Sequence, residues 1–144
     1  MLPTRSAIAP PSWDVDVMRL TVLIADDDPV SLCVLHHCLA AAGYDVFTAE
    51  NGRTALASMA ENTPDLVVLD VMMPVMDGLE TLRRAKADAK LKSIPVIMVT
   101  SREQDTDIVG ALQLGAADYL VKPFMPAELA ARVARIVAER RQVA

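Results

Sequence analysis

The chain has little of what a covalent staple, a membrane or a polyanion would require. Only two of its 144 residues are cysteine, too few for a disulfide framework, and Cys33 and Cys38 are expected to be reduced. Two Phe, two Tyr and one Trp cannot fill a core, so the interior must be built from Val, Leu, Ile, Ala and Met. No stretch approaches the roughly 18 apolar residues a membrane span needs. Residues 1–19 hold no apolar segment of signal-peptide length, which leaves the cytoplasm as the expected compartment. Basic excess is missing too: a formal charge of −5 and a pI near 4.9 argue against nucleic acid as a direct partner.

What is present is aliphatic and periodic. Hydrophobic residues make up 53%, a composition suited to buried parallel strands under amphipathic helices. The leader of residues 1–19, with Pro3, Pro10 and Pro11, has no sustained periodicity. It is expected to be unstructured, either a docking tail or an extension from an upstream start, ahead of one folded domain over residues 20–141.

From Leu20 onward a short apolar run followed by a helical one recurs five times. The runs are Thr21 to Ala25, Tyr44 to Thr48, Leu66 to Asp70, Ile94 to Thr100 and Ala117 to Val121. Each precedes ten or more residues with apolar spacings of three and four. Asp28 and Pro29 open a helix ending at Gly43; Asn51 caps one carrying Ala55, Leu56, Met59 and Ala60. Others span Gly78 to about Asp88, Thr106 to Leu114 before Gly115, and Pro126 onward with Leu129, Val133 and Ile136 inward. Alternation of this kind implies right-handed crossovers and an α/β three-layer sandwich, a flavodoxin-like (βα)5 fold with a parallel sheet of order 2-1-3-4-5.

Four of the five runs end in a polar or charged residue: Asp26-Asp27-Asp28, Asp70, Thr100-Ser101 and Lys122-Pro123. Ligands of open α/β sheets collect at that edge. Crowding Asp26, Asp27 and Asp70 there is costly, since two unit charges about 4 Å apart repel by roughly 4 kcal/mol at an effective dielectric near 20. A hard divalent cation makes the cluster reasonable, and Mg²⁺ suits carboxylates, waters and a phosphate oxygen. No His or Cys pair converges on this edge to suggest zinc. With the Lys122 ammonium beside them, these groups are arranged to attack phosphorus. Asp70 is then the nucleophile, Asp26 and Asp27 the metal-binding pair, and Thr100 a hydroxyl donor to the attached phosphoryl group.

The same residues give the chain a strong resemblance to the receiver domain of two-component response regulators, of the single-domain chemotaxis type. Its motifs are Leu23-Ile24-Ala25-Asp26-Asp27-Asp28-Pro29, Leu69-Asp70-Val71-Met72-Met73-Pro74 with Asp77-Gly78, Val96 to Ser101, and Asp118 to Phe124. The resemblance implies that Asp70 takes a phosphoryl group from a sensor histidine kinase or a histidine phosphotransfer protein. It implies Mg²⁺, for which Mn²⁺ can substitute, held by Asp27, Asp70 and the Met72 backbone carbonyl, with Asp26 acting through water. Lys122 would bridge to the acceptor, the Lys122-Pro123 bond would be cis, and Thr100 and Tyr119 would form the switch. A face made of the fourth helix, fifth strand and fifth helix would bind a downstream protein, with phosphorylation-dependent homodimerisation open. The only chemistry implied is the domain's own phosphorylation and dephosphorylation, not enzymatic turnover of a substrate.

Two other classes remain. Asp26-x-Asp28 after a strand mimics the nucleophile motif of haloacid-dehalogenase-type phosphohydrolases, although the chain is short for that fold. A phosphorylation-independent adaptor with the receiver fold is the third, against which intact Asp70, Thr100 and Lys122 speak. Elsewhere the plainer readings prevail. Asp28 and Asp77 are helix caps, Cys38 is core in phase with Val34, Leu35, Leu39 and Ala42, and His36 and His37 are solvated. The Met residues pack in core and loops, Arg102 is solvated, and Arg132, Arg135, Arg140 and Arg141 make the last helix a locally basic face for protein contact.

Overall fold

A computed structural model describes residues 20–101 and 105–143, the side chains of 105–107 and 141–143 excepted. The expectations for the leader and for Arg102 lie outside the described residues. Five strands and five helices alternate along the chain. They are β1 (Thr21–Ala25), α1 (Pro29–Ala41), β2 (Asp45–Ala49), α2 (Gly52–Asn62), β3 (Leu66–Asp70), α3 (Gly78–Ala87), β4 (Val96–Thr100), α4 (Asp105–Gln113), β5 (Asp118–Val121) and α5 (Pro126–Val143). All strand pairs are parallel, in the order β2-β1-β3-β4-β5. This is the flavodoxin-like arrangement the run pattern predicts. Among the described residues no helix is long and apolar enough to cross a membrane.

The strands read as unbroken apolar runs because both sheet faces are covered, and their alternation sends successive side chains to different cores. Val22, Ile24, Leu66, Val68, Ile97 and Val99 meet Leu35 and Leu39 of α1 and Leu129, Val133 and Ile136 of α5. Leu23, Val67, Leu69, Val96 and Met98 meet Met59 of α2, Leu82 of α3 and Ala111 of α4. Helix starts follow their caps. Asp28 accepts from Val30 N–H, Asn51 from Thr54 N–H and Asp77 from Glu80 N–H, each relieving an otherwise orphaned donor. The α1–β2 and α4–β5 turns pass through Gly43 and Gly115 at φ 102° and 103°, where a side chain would be strained.

Several expectations require correction. Strand β2 is displaced by one residue to Asp45–Ala49, and β4 begins at Val96, Ile94 being buried in the preceding turn. On α1, Val34 and Ala42 are exposed and Cys38 is half-buried, its thiol donating to Pro126 O at 3.4 Å. The inward stripe is therefore Leu35 and Leu39, with Leu32 partly buried against the same core. Ala60 of α2 faces solvent, and so do Met72 and Met125, unlike the buried Met59 and Met98. Both cysteines are free, as expected. On α5, Arg132 and Arg135 each hold one oxygen of Asp118 of β5 at 2.8 Å, so a single carboxylate offsets part of the basic face.

Candidate active site at the carboxyl edge of the sheet

Register decides what meets at the carboxyl edge. Ala25 lies opposite Leu69, so the next residues, Asp26 and Asp70, stand side by side. Asp70 lies opposite Val99, and Thr100 opposite Val121, which places Thr100 one step beyond the acid and one before Lys122. Ligand oxygens of Asp26, Asp27 and Asp70 fall within 4.8 Å of one another. The donors are all carboxylate oxygens, a set that fits a hard cation such as Mg²⁺ rather than a soft one.

Burial divides the three acids. Asp26 and Asp70 are 2% and 7% exposed, whereas Asp27 is open to solvent. Asp26 Oδ1 accepts the Asp28 N–H at 2.9 Å, and its Oδ2 receives Lys122 Nζ at 2.8 Å. Asp70 Oδ1 accepts the Met72 N–H at 3.3 Å, while its Oδ2 lies 3.5 Å from Lys122 Nζ. Lys122 thus leans toward Asp26 and leaves Asp70 with the weaker share. Burial pushes the Asp70 carboxyl up to about 6; Lys122 opposes the rise and the Asp26 charge reinforces it. For Lys122 itself burial acts downward, but Asp26 and Asp70 outweigh it and hold the ammonium above its ordinary value. Asp28 turns away into its cap. Its carboxyl is lowered first by the Ser31 hydroxyl and then by the Val30 N–H.

The surrounding backbone is fixed by small residues and a turn. Gly78 N–H donates to Val71 O at 2.8 Å, and a Cβ at Gly78 would lie 2.2 Å from Asp70 O, so only glycine lets α3 start this close to the acid. The Lys122-Pro123 peptide is cis. Thr100 is 3% exposed, and Tyr119 is half-buried, packed against the core under α2, α3 and α4.

One feature beside the site was not foreseen. A groove of about 420 Å³ runs along Lys122 between α1 and the start of α5, walled by Val30, Val34, Leu35, Phe124 and Pro126. The pattern of α1, apolar on nearly every side, puts Val34 inward with Cys38 and gives no sign of this groove. A smaller cleft of about 320 Å³ joins Asp27 to His36, Cys33 and Glu50. Among the described residues, however, the only cluster of three potential ligands within metal-binding reach is that of Asp26, Asp27 and Asp70.

Comparison with known proteins gives a consistent result. The family model of the response regulator receiver domain matches residues 22–134. The alkaline phosphatase synthesis transcriptional regulatory protein PhoP of Bacillus subtilis is 39% identical over 120 residues, covering 83% of this chain and 49% of that protein. The chain spans about half the length of the curated relatives it matches. A putative response regulator from Chloroflexus aurantiacus superposes with a TM-score of 0.79 at 37% identity, covering 83% of this chain and 98% of the other. The receiver domain of a sensor histidine kinase from Pseudomonas aeruginosa, solved with a magnesium ion coordinated in its active-site cleft, has a TM-score of 0.77 at 31% identity. That match covers 83% and 98% of the two chains.

Proposed function

The chain belongs to the response regulator receiver family, and on that premise we propose that it is a phosphoacceptor of a two-component phosphorelay with Asp70 as the accepting residue. The observation that carries this reading is the meeting of Asp26, Asp27 and Asp70 within 4.8 Å, with Lys122 Nζ at 2.8 and 3.5 Å from two of them.

In the proposed reaction an ionised Asp70 oxygen attacks phosphorus of a phosphohistidine on a sensor kinase or phosphotransfer protein. The P–N bond breaks as the P–O bond forms, and the imidazole leaves with the electron pair. Asp27, Asp70 and the Met72 carbonyl, with Asp26 through water, would hold Mg²⁺ or Mn²⁺, whose charge offsets that on the phosphoryl oxygens. Lys122 supplies a second positive charge, released in part from Asp26 to the phosphoryl group. Thr100 donates its hydroxyl to the attached phosphoryl group, and Tyr119 follows into the space vacated. The altered face of α4, β5 and α5 then binds a downstream protein. This is regulation rather than turnover of a substrate, in a cytoplasmic setting, with no direct nucleic-acid contact expected of so acidic a domain.

The groove beside Lys122 supports a protein donor, since exposed Val30 and Val34 offer an apolar seat next to the acceptor. The hydrolase alternative would need Asp28 free to act on substrate, yet its carboxylate accepts from Val30 N–H and the Ser31 hydroxyl. Labelling with acetyl phosphate and Mg²⁺, followed by peptide mapping, tests the proposal. Phosphate on Asp70 is expected; phosphate on Asp26 instead, or on neither, would overturn it.

A further inference from the structure

The loop from Val71 to Asp77 joins the acceptor to α3 and carries Met72. Its course is strained. Val75 sits at φ 70° and is 75% exposed, and the Met76 N–H donates back to Pro74 O at 2.7 Å. That is the uncommon form of the γ-turn, here with a β-branched residue at its centre. Such a conformation lasts only where its surroundings over-determine it.

The surroundings are two helix starts. Gly52, the first residue of α2, donates its N–H to Met76 O at 3.1 Å. Thr81, in the first turn of α3 and wholly buried, donates both its N–H, at 3.0 Å, and its hydroxyl, at 2.7 Å, to Asp77 O. The two also meet each other: a Cβ at Gly52 would lie 2.0 Å from Thr81 Oγ1 and 2.5 Å from Met76 O. No slack is left between α2, α3 and the far half of the loop. The near half is tied to the acceptor, because the Met72 N–H donates to Asp70 Oδ1. A change at residues 76 and 77 therefore reaches Met72 through a short, tethered segment.

We infer that Gly52 and Thr81 are positioning residues for the cation site, holding the Val71–Asp77 loop in its strained course so that the Met72 backbone stays in place beside the carboxylates. This rests on the reading above, in which Met72 and the acids hold Mg²⁺. A Thr at 81 can serve because its hydroxyl reaches the carbonyl four residues back while its methyl stays in the core.

Calorimetric titration of the full chain with Mg²⁺ tests the inference, with melting temperatures recorded alongside. Thr81→Val is expected to weaken Mg²⁺ binding about threefold, less than the roughly tenfold or more lost when a ligand's own hydrogen-bond partner is removed, because Asp77 O keeps the Thr81 N–H. Thr81→Ser, which keeps the hydroxyl, binds as the wild type does. Val75→Gly takes the positive φ at no steric cost, so it raises the melting temperature, leaves Mg²⁺ affinity at the wild-type value and, added to Thr81→Val, restores the affinity that variant loses. A merely structural role would show no such rescue of affinity, and the double variant serves if Thr81→Val alone fails to fold. Wild-type affinity in Thr81→Val, or a loss that Val75→Gly does not restore, overturns the inference. If Asp27→Asn still abolishes binding in that case, the cation reading stands without it. A wild type that does not bind Mg²⁺ overturns both.

Discussion

Replacing Asp70 by Asn should stabilise the metal-free protein, by an amount set by the acid's environment. The carboxyl is raised from 3.8 to about 6, about two units, and each unit corresponds to about 1.4 kcal/mol of preference for the neutral form. Holding the charge at pH 7.5 therefore costs up to about 3 kcal/mol. Asn keeps an oxygen for the Met72 N–H and leaves Lys122 its contact with Asp26, so a gain of about 1–3 kcal/mol is expected. For a domain of this size that is roughly 3–10 °C in melting temperature. The sign follows from proton counts. Between pH 3.8 and about 6 the folded wild type holds a proton on Asp70 that the unfolded chain has lost. Wild-type stability accordingly falls as pH rises through that window and carries the full cost above it. Melting both proteins in EDTA from pH 4 to 8 should show curves that nearly coincide at the acid end and separate by pH 7. Added Mg²⁺ should narrow the gap by binding the wild type. A gap independent of pH, or a variant no more stable than the wild type at pH 7.5, would refute the crowding argument.

Other outcomes bear on the remaining parts of the site. Lys122→Ala should retain much of the labelling by acetyl phosphate but lose the response of the α4, β5 and α5 amide resonances to beryllium fluoride; an unchanged spectral response would remove Lys122 from the switch. Val34→Glu, placing a charge in the groove beside Lys122, should slow phosphotransfer from a cognate kinase by tenfold or more, about 1.4 kcal/mol, while leaving acetyl phosphate labelling intact. Equal slowing of both donors would show that the groove is not a protein seat.

Much of the fold was legible because each element carries its own signal. Aliphatic runs of strand length, three side-chain caps and glycines at two turns define the alternation before any contact is known. The edge cluster was legible for a related reason: in a parallel sheet the residue after each buried run must arrive at the same rim. Long-range pairings were less accessible. Asp118 meets Arg132 and Arg135 at separations of 14 and 17 residues, beyond any local helical rule. The exposed Val34 was misplaced because α1, Pro-Val-Ser-Leu-Cys-Val-Leu-His-His-Cys-Leu-Ala-Ala, has too few polar positions for its inward face to stand out. The turn at Val75 left no trace at all, since Pro-Val-Met contains none of the residues that favour positive φ.

The ion pairs of the last helix have a mechanical consequence. Arg132 and Arg135 fasten the middle of α5 to Asp118 at the start of β5, and Arg140 reaches Asp65 O at 2.6 Å, at the foot of β3. All three rivets lie away from the rim; at the rim end Pro126, four residues past Lys122, is held among the described residues only by the Cys38 thiol on its carbonyl and by the buried Leu129 a turn further on. An 18-residue rod about 27 Å long, anchored along its lower part, answers a push at its upper end by pivoting rather than sliding. The largest excursion belongs to the first turn and the smallest to the last, so a protein that senses the angle of this rod gains most by gripping it near Met125 and Pro126.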